Sequence, residues 1–433
     1  MRVSVRLVVL CLFSSAMMAC LTACYLFDHS STTTPTPPHT PLPTETMNLA
    51  VVDWANNRVL IYNIPFSTDE SASVVLGQSA FNSNSVNAGG GATPAANGLW
   101  YPDSVAADAS GNLYVGDGDN GRVLQFKPPF TTNMNASVVF GETGMTTASP
   151  GYYGTFASAS GLSTPYLYVA IDSHGDLWVS DYNNSRVVEY VPPFSNGMAA
   201  TLAIGQTTTG ALTSTPCNKG AGNGSAPTSS TLCDPEGLTF DASGNLWVAD
   251  SSNNRVLEFK PPFSTGMAAS LEVGQPSGAT AFTTFAVNNG GSGGNPIASS
   301  LYGPSMPLFD SSGNLWVADG GNGRVLMYAP PFSNGMNATQ ELGEPAGSGA
   351  FTTRNASLTQ WGMNDPWGLC LDTEGSIYVT DNAYNRVMIF DLPFSNGMNA
   401  TTVLGQADFT HGAANQGGIS AKTLNQPFSC ATF

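Results

Sequence analysis

The chain alternates short apolar runs with polar turns in a repeated order. Within residues 241–263, DASGNLWVADSSNNRVLEFKPPF, the runs NLWVAD and RVLEF are rich in aromatic and β-branched residues, and turn residues precede and separate them. A run PEGLTF comes before this stretch and SLEVG follows it. The four runs predict a four-stranded sheet. Because they are apolar at successive positions, we expect both faces of that sheet to be covered.

This unit occurs six times along the chain. Each copy has an arginine at the start of its third run, and consecutive arginines are 62 to 69 residues apart. A unit of this size cannot bury its faces alone, so the copies must pack on one another. The pattern therefore predicts an all-β fold, a six-bladed β-propeller of four-stranded blades around a central axis.

The two ends of the repeat region complement each other. The first copy begins at residue 47 with NLAVVDWANNRVLIYNIPF, which corresponds to the second and third strands of a blade. The missing first strand matches LNQPFSCATF at residues 424–433. We therefore expect one blade to be shared by both termini, which closes the ring.

The segment before the repeats has the features of an export signal. Two arginines precede an apolar stretch at residues 7–19, and Leu21-Thr22-Ala23-Cys24 resembles a bacterial lipobox. We predict a lipoprotein signal peptide at residues 1–24, with Cys24 as the lipidation site, and a Pro/Thr-rich linker at residues 25–46. An ordinary cleaved signal or an uncleaved anchor is the alternative. The expected location is the bacterial cell envelope, periplasmic or at the cell surface.

The segment GNLWVADSSNNRVLEF resembles the NHL repeat. The resemblance extends over residues 47–433, the predicted propeller domain, and implies a six-bladed propeller. NHL-like propellers include adaptor modules, ligand sensors and a few enzymes, so the resemblance implies a fold more strongly than a function.

The turn between the second and third runs has the form Asp-x-x-Asn-x-Arg, with Tyr384 in place of Asn in the sixth copy. Asp and Asn oxygens accept backbone N–H bonds in tight turns, and a guanidinium group binds carboxylates and carbonyls with a planar fork. We interpret the six turns as structural and not catalytic. Their residues are Asp53, Arg58, Asp117, Arg122, Asp181, Arg186, Asp250, Arg255, Asp319, Arg324, Asp381 and Arg386.

The net charge is −17, and the first 46 residues contribute two basic and two acidic side chains, so residues 47–433 keep the whole charge. Six of their few basic residues are the turn arginines. An acidic body with so few free cations repels a phosphate backbone, so no nucleic acid partner is expected.

Four cysteines follow Cys24. Cys217 and Cys233 bracket a Gly/Ser-rich insertion, and in an exported protein they are a possible disulfide, with two free thiols as the alternative. Cys370 and Cys430 fall one position out of phase in two first strands. We expect these two to be small buried apolar residues.

A ligand site is expected on the face that carries the long connections between blades, since the opposite face has uniform PPFSNGM-type connections. The residue after the proline that opens each first strand should surround the channel mouth there. These residues are Asp103, Tyr166, Glu236, Ser305, Trp367 and Phe428. Aromatic side chains with two carboxylates suit a sugar, a peptide or a cation, whereas the alternative is that the rings only plug the channel.

The residues give less support to an enzyme. Only His174 and His411 follow residue 46, which argues against a three-histidine metal site, and no Ser-His-Asp set is recognisable. Lactonases with six-bladed propellers resemble the chain in architecture, and Asp103 and Glu236 are two oxygen ligands of the kind that calcium uses. We therefore predict a monomeric binding scaffold for a protein, glycan or other envelope ligand, without a cofactor. A calcium-dependent lactonase or lyase at the channel mouth is the alternative.

Overall fold

The computed structural model describes residues 47–433 except 66, 148–157, 211–216, 291–294 and 348. The described residues form six four-stranded antiparallel sheets. The predicted signal peptide with Cys24 and the predicted linker lie outside the described residues. In the described part of the chain, no helix has the length and hydrophobicity needed to cross a membrane.

The strands are numbered β1 to β24 along the chain. Each blade has four of them, in order from the innermost strand at the channel to the outermost strand. The innermost strands are β4 (Pro102–Ala107), β8 (Leu167–Ile171), β12 (Pro235–Phe240), β16 (Pro304–Phe309), β20 (Pro366–Leu371) and β24 (Pro427–Thr432). The second strands are β1 (Asn48–Asp53), β5 (Leu113–Asp117), β9 (Leu177–Asp181), β13 (Leu246–Asp250), β17 (Leu315–Asp319) and β21 (Ile377–Asp381).

The outer half of each blade consists of a longer and a shorter strand. The third strands are β2 (Arg58–Asn63), β6 (Arg122–Phe126), β10 (Arg186–Tyr190), β14 (Arg255–Phe259), β18 (Arg324–Tyr328) and β22 (Arg386–Phe390). The outermost strands are β3 (Val74–Leu76), β7 (Val138–Phe140), β11 (Leu202–Ile204), β15 (Leu271–Val273), β19 (Gln340–Leu342) and β23 (Thr402–Leu404).

The ring closes as predicted. Strand β24 from the C-terminal end pairs antiparallel with β1, so blade 1 has the order β24, β1, β2, β3. Blades 2 to 6 follow in chain order from β4. Each innermost strand contacts the innermost strands of the two neighbouring blades, and β24 contacts both β20 and β4. The six-bladed β-propeller is confirmed.

The core lies between blades, because both faces of each sheet are apolar. Trp178 on β9, for example, is fully buried and packs edge-on against Phe240 and Phe263 of blade 4. Its indole Nε1 donates a hydrogen bond to Asp172 Oδ2 at 3.3 Å, in the turn between β8 and β9. Each blade therefore depends on the next one for burial, as expected for a repeat fold.

A short 3₁₀ turn joins the second and third strands of every blade. The turns are Trp54–Asn56, Gly118–Asn120, Tyr182–Asn184, Ser251–Asn253, Gly320–Asn322 and Asn382–Tyr384. The residue after each turn has a left-handed backbone, with φ of 53° at Asn254, which explains why Asn, Gly or Ser occupies this position.

The structure corrects the prediction for Cys370 and Cys430, which are not separate buried apolar residues. They form a disulfide with a Cα–Cα distance of 5.7 Å. Cys370 lies on β20 of blade 6 and Cys430 on β24 of blade 1, so the bond crosses a blade boundary. The two cysteines differ by one position along their strands, and the prediction took this to mean that they do not meet. Strands of different blades have no fixed register with each other, so the difference does not keep them apart. Cys217 and Cys233 also form a disulfide in the structure.

Candidate functional site

The Asp-x-x-Asn-x-Arg turns lie on the same face of the propeller as the connections between blades. In blade 4, Arg255 Nε donates to Asp250 Oδ2 at 2.8 Å, and Asn253 Nδ2 donates to the same oxygen at 2.8 Å. The other oxygen, Oδ1, accepts the backbone N–H of Cys233 at 2.7 Å. The corresponding ion pair is present in all six blades, at 2.6 to 2.8 Å, between fully buried side chains.

Each of these arginines also holds the long connections in place. Arg255 Nη2 donates to the carbonyls of Thr228 and Thr231, which precede blade 4, and its Nη1 donates to the carbonyl of Phe282, which follows it. The guanidinium group therefore joins two successive inter-blade connections to two buried carboxylates, that of Asp250 and, at 3.4 Å, that of Glu272. The Asp250–Arg255 pair is thus engaged entirely within the protein, and the structural role of the turns stays a prediction.

Aromatic rings from opposite blades meet over the channel at this face. The ring of Trp367 in blade 6 lies 4.2 Å from that of Phe428 in blade 1 and 6.4 Å from that of Tyr166 in blade 3. Phe428 also stacks on Tyr166 at 6.1 Å and on Trp54 at 5.2 Å. Phe428 is buried, whereas Tyr166, Trp367 and Trp54 are half-buried. We call the rings of Trp54, Tyr166, Trp367 and Phe428 the aromatic floor, because they lie across the channel. Part of this floor is exposed.

The sequence prediction placed Tyr166 two positions too far along its blade, at the place of Asp103 in blade 2. In five blades the innermost strand has a bulge after its opening proline, and the predicted mouth residue lies in that bulge. Blade 3 lacks the bulge, and Leu167 takes the proline position opposite Asp181. Tyr166 therefore corresponds to Tyr101, the residue before the proline in blade 2. Its ring nevertheless reaches the floor.

The residue before the strand has a left-handed backbone in every blade, with φ of 44° at Tyr101 and 71° at Tyr166. Such a conformation is uncommon for a bulky residue and is often retained where function needs it. Asn57 Oδ1 accepts the backbone N–H of Tyr101 at 2.8 Å, which fixes this residue to the turn of the preceding blade. The ring of Tyr101 stacks on Trp54 at 4.2 Å and extends the aromatic surface outward.

Asp103 is fully buried beside the aromatic floor. Its Oδ2 accepts the backbone N–H of Leu167 at 2.9 Å, and its Oδ1 has no hydrogen-bond partner among the described residues. Burial raises the pKa of Asp103 well above its usual value, the hydrogen bond from Leu167 opposes this, and the nearby carboxylates of Asp119 and Asp117 raise the pKa further.

Glu236 in blade 4 has a similar environment. It is 7% exposed, and its Oε2 has no hydrogen-bond partner in the described residues. Burial raises the pKa of Glu236 to about 8; contact with the Ser251 side chain opposes the shift, and the carboxylates of Asp365 and Asp234 add to it.

Ser305 differs from the other mouth residues because its hydrogen-bonding group is used internally. It is buried, and its Oγ donates to the carbonyl of Trp367 at 2.9 Å and approaches that of Pro366 at 3.2 Å. Ser305 therefore connects blades 5 and 6 and leaves little to offer a ligand.

The structure brings further residues to the mouth that the sequence analysis did not name. Asp119, Asp234 and Asp365 are half-buried acids there, and burial raises the pKa of each one, to about 6 for Asp119. Trp54 and Tyr182 contribute rings from the 3₁₀ turns, and Tyr182 lies 5.2 Å from Tyr166. Most of these residues either precede the opening proline of an innermost strand or begin a 3₁₀ turn. Both positions can be recognised in the sequence, so they are the signal that could have identified these residues.

A possible metal-binding group lies elsewhere. Among the described residues, Asp172, His174 and Asp176 are the one set of three His, Cys or acidic side chains with ligand atoms within 4.8 Å of one another. They lie in the turn between β8 and β9, on the face opposite the mouth, beside a groove of about 550 Å³. The His174 side chain is 82% exposed. Asp103 and Glu236 stand on blades 2 and 4 and belong to no such set.

Comparison with known proteins identifies the repeat. The model of the NHL repeat matches residues 99–126, 232–259 and 363–390, which fall in blades 2, 4 and 6. No curated protein sequence matches the chain.

Solved structures resemble the chain only distantly. A protein of unknown function from Bacteroides caccae has 9% identity and a TM-score of 0.47, over 90% of this chain and 99% of its own. A protein from Lactobacillus plantarum has 12% identity and the same TM-score and coverage. The virginiamycin B lyase of Staphylococcus aureus has 11% identity and a TM-score of 0.36, over 68% of this chain and 71% of its own. At these values the likenesses say nothing about what this chain does.

The assignment rests on the repeat matches and on the six sheets with their shared first blade. The chain is a six-bladed β-propeller, and three of its blades match the NHL repeat.

Proposed function

We propose that the chain is a binding protein whose ligand site is the channel mouth. The observation that carries the proposal is the meeting of half-buried rings from opposite blades, Tyr166 and Trp367, beside two buried carboxyl groups that each leave an oxygen unpaired, Asp103 and Glu236. A buried carboxyl oxygen without a partner destabilises the folded protein, so packing alone does not explain why it is present. A concave surface of apolar rings with a few polar groups is typical of ligand sites.

The site can be tested with variants of one ring. Binding of defined probes, a lysine peptide, a glutamate peptide and a neutral oligosaccharide, would be measured by isothermal titration calorimetry. We expect Trp367→Ala to weaken the binding of any probe bound by the wild type by about tenfold or more, because an aromatic contact contributes on the order of 1.5 kcal/mol.

Leu392→Ala is a suitable control, because Leu392 is 57% exposed and follows β22 on the opposite face. It should bind every probe as the wild type does. A probe that binds equally well to wild type, Trp367→Ala and Asp103→Asn would place the binding site elsewhere and contradict the proposal.

We further propose that the protein is exported and attached to the bacterial cell envelope by a lipid on Cys24. The lipobox-like tetrapeptide and the presence of two disulfides support this, since disulfides form in oxidising compartments. Metabolic labelling with a fatty acid should mark the full-length chain and should fail to mark Cys24→Ser. Labelling of both chains, or of neither, would contradict lipidation at Cys24.

A further inference from the structure

The channel mouth has five acidic side chains that form no ion pair within the described part of the protein. Its acids are Asp103, Asp119, Asp234, Glu236 and Asp365. Arg354 is near enough to lower the pKa of Asp365, but its guanidinium group lies over the ring of Tyr302, at 5.7 Å.

The carboxylates of the Asp-x-x-Asn-x-Arg turns show how a buried acid in this protein is fully hydrogen-bonded. Asp250 accepts hydrogen bonds at both oxygens, from Cys233, Asn253 and Arg255. Asp103 accepts one at Oδ2, and no donor is in hydrogen-bonding geometry at its Oδ1 within the described residues, although the Trp54 indole is near enough to lower the pKa of Asp103. Glu236 Oε2 also has no donor in such geometry, although the Tyr168 hydroxyl is near enough to lower the pKa of Glu236. A buried carboxyl group in this situation is either protonated, or it is ionised and paired with a positively charged group of a ligand.

The neighbouring rings suit one kind of positive partner. Trp54, Tyr101, Tyr166 and Trp367 are half-buried, so part of each ring is accessible at the mouth. Aromatic faces attract ammonium and guanidinium groups, and carboxylates bind the same groups through charge-assisted hydrogen bonds. A metal ion would need several oxygen ligands at close range, and the mouth acids form no such set among the described residues. The arrangement therefore favours an organic cation.

We propose that the mouth recognises an ammonium or guanidinium group of a basic ligand, through the rings of Tyr166 and Trp367 and the carboxyl groups of Asp103 and Glu236. This inference rests on the proposed function and adds the ligand class to it.

The test compares two peptides of the same length. Trilysine amide with an acetylated N-terminus would be titrated into the full chain, and the same peptide with acetylated lysine side chains would serve as the neutral probe. We expect the basic peptide to bind, and the neutral peptide to bind at least tenfold more weakly. Asp103→Asn and Glu236→Gln should each weaken binding of the basic peptide by about tenfold or more, because a charge-assisted hydrogen bond is lost.

Both substitutions keep the shape of the side chain, and the amide oxygen introduced by Asp103→Asn would still accept the N–H of Leu167. Asp391→Asn removes the same charge from an exposed position on the opposite face, so it controls for the overall negative charge and should bind as the wild type does. Thermal unfolding of every variant would show that the fold is retained.

Three outcomes overturn the inference: neither peptide binds, both peptides bind equally, or calcium binds at the mouth and depends on Asp103 and Glu236 while trilysine does not bind. The proposed function fails separately, when Trp367→Ala leaves the affinity for a bound probe unchanged. A neutral oligosaccharide that requires Trp367 would thus support a ligand site at the mouth and exclude a cation as its ligand.

Discussion

Cys430, on the strand contributed by the C-terminal end, is bonded to Cys370 on the innermost strand of the preceding blade. Strand β24 is therefore held on one side by its hydrogen bonds to β1 and on the other by a covalent bond to β20. Closure of the ring does not depend on strand pairing alone.

We predict that Cys370→Ala combined with Cys430→Ala destabilises the protein by about 4 kcal/mol, because the bond spans 60 residues and restricts the unfolded chain. Urea unfolding measures the change. The pair Cys217→Ala and Cys233→Ala, whose bond spans 16 residues, should cost about 3 kcal/mol. Equal stability of the wild type and the Cys370/Cys430 variant would show that this bond does not support the ring.

Arg255→Ala should destabilise the protein by about 3 kcal/mol or more. The substitution leaves the Asp250 carboxylate buried without its partner and frees three carbonyls of two inter-blade connections. Arg354→Ala is the matched control, since Arg354 is exposed, and it should change stability by less than about 0.5 kcal/mol. Similar unfolding curves for the two variants would remove the structural interpretation of the turn.

Glu236 should make the fold less stable as the pH rises. Its pKa in the folded protein is about 8, above its ordinary value of 4.5. The folded state therefore keeps a proton that the unfolded chain loses, and this contribution is fully present below pH 4.5 and disappears as the pH rises through 8. Glu236→Gln should be more stable than the wild type at about pH 9, by on the order of 5 kcal/mol, and similar to it at about pH 4. Chemical unfolding at both values measures this, and a wild type and variant with parallel pH dependence would contradict it.

Asp176 occupies a position where three other blades have Asn. Asn245 Nδ2, for example, donates to Asp241 Oδ2 at 2.8 Å, whereas Asp176 faces the carboxylate of Asp172. Burial raises the pKa of Asp176, and the charges of Asp172 and Glu189 raise it further. We predict that Asp176→Asn stabilises the protein at neutral pH by about 1 kcal/mol, because it restores a hydrogen bond and removes a like charge.

The reverse substitution in blade 4, Asn245→Asp, should destabilise the protein by a similar amount. Thermal unfolding with a chelator present would measure both changes without interference from metal ions. A loss of stability in Asp176→Asn under these conditions would show that the acid is needed for the fold of blade 3.

The architecture of this protein could be predicted from the order of its residues. Repeated apolar runs, turn residues and the arginine at a constant place in each copy indicate the number of blades and strands. The incomplete first copy and the final ten residues indicate how the ring closes. These features are local or periodic, so strand and turn propensities are enough to identify them.

The composition of the mouth, by contrast, depends on how the blades pack in three dimensions. The register of the innermost strand of blade 3 places Tyr166 two positions away from the predicted place, and the register between blades brings Cys370 to Cys430. The burial of Asp103 and Glu236, and their unpaired oxygens, depend on contacts between residues of different blades that are far apart in the sequence. Such contacts follow from the packing of whole blades, and no periodic pattern along one blade specifies them.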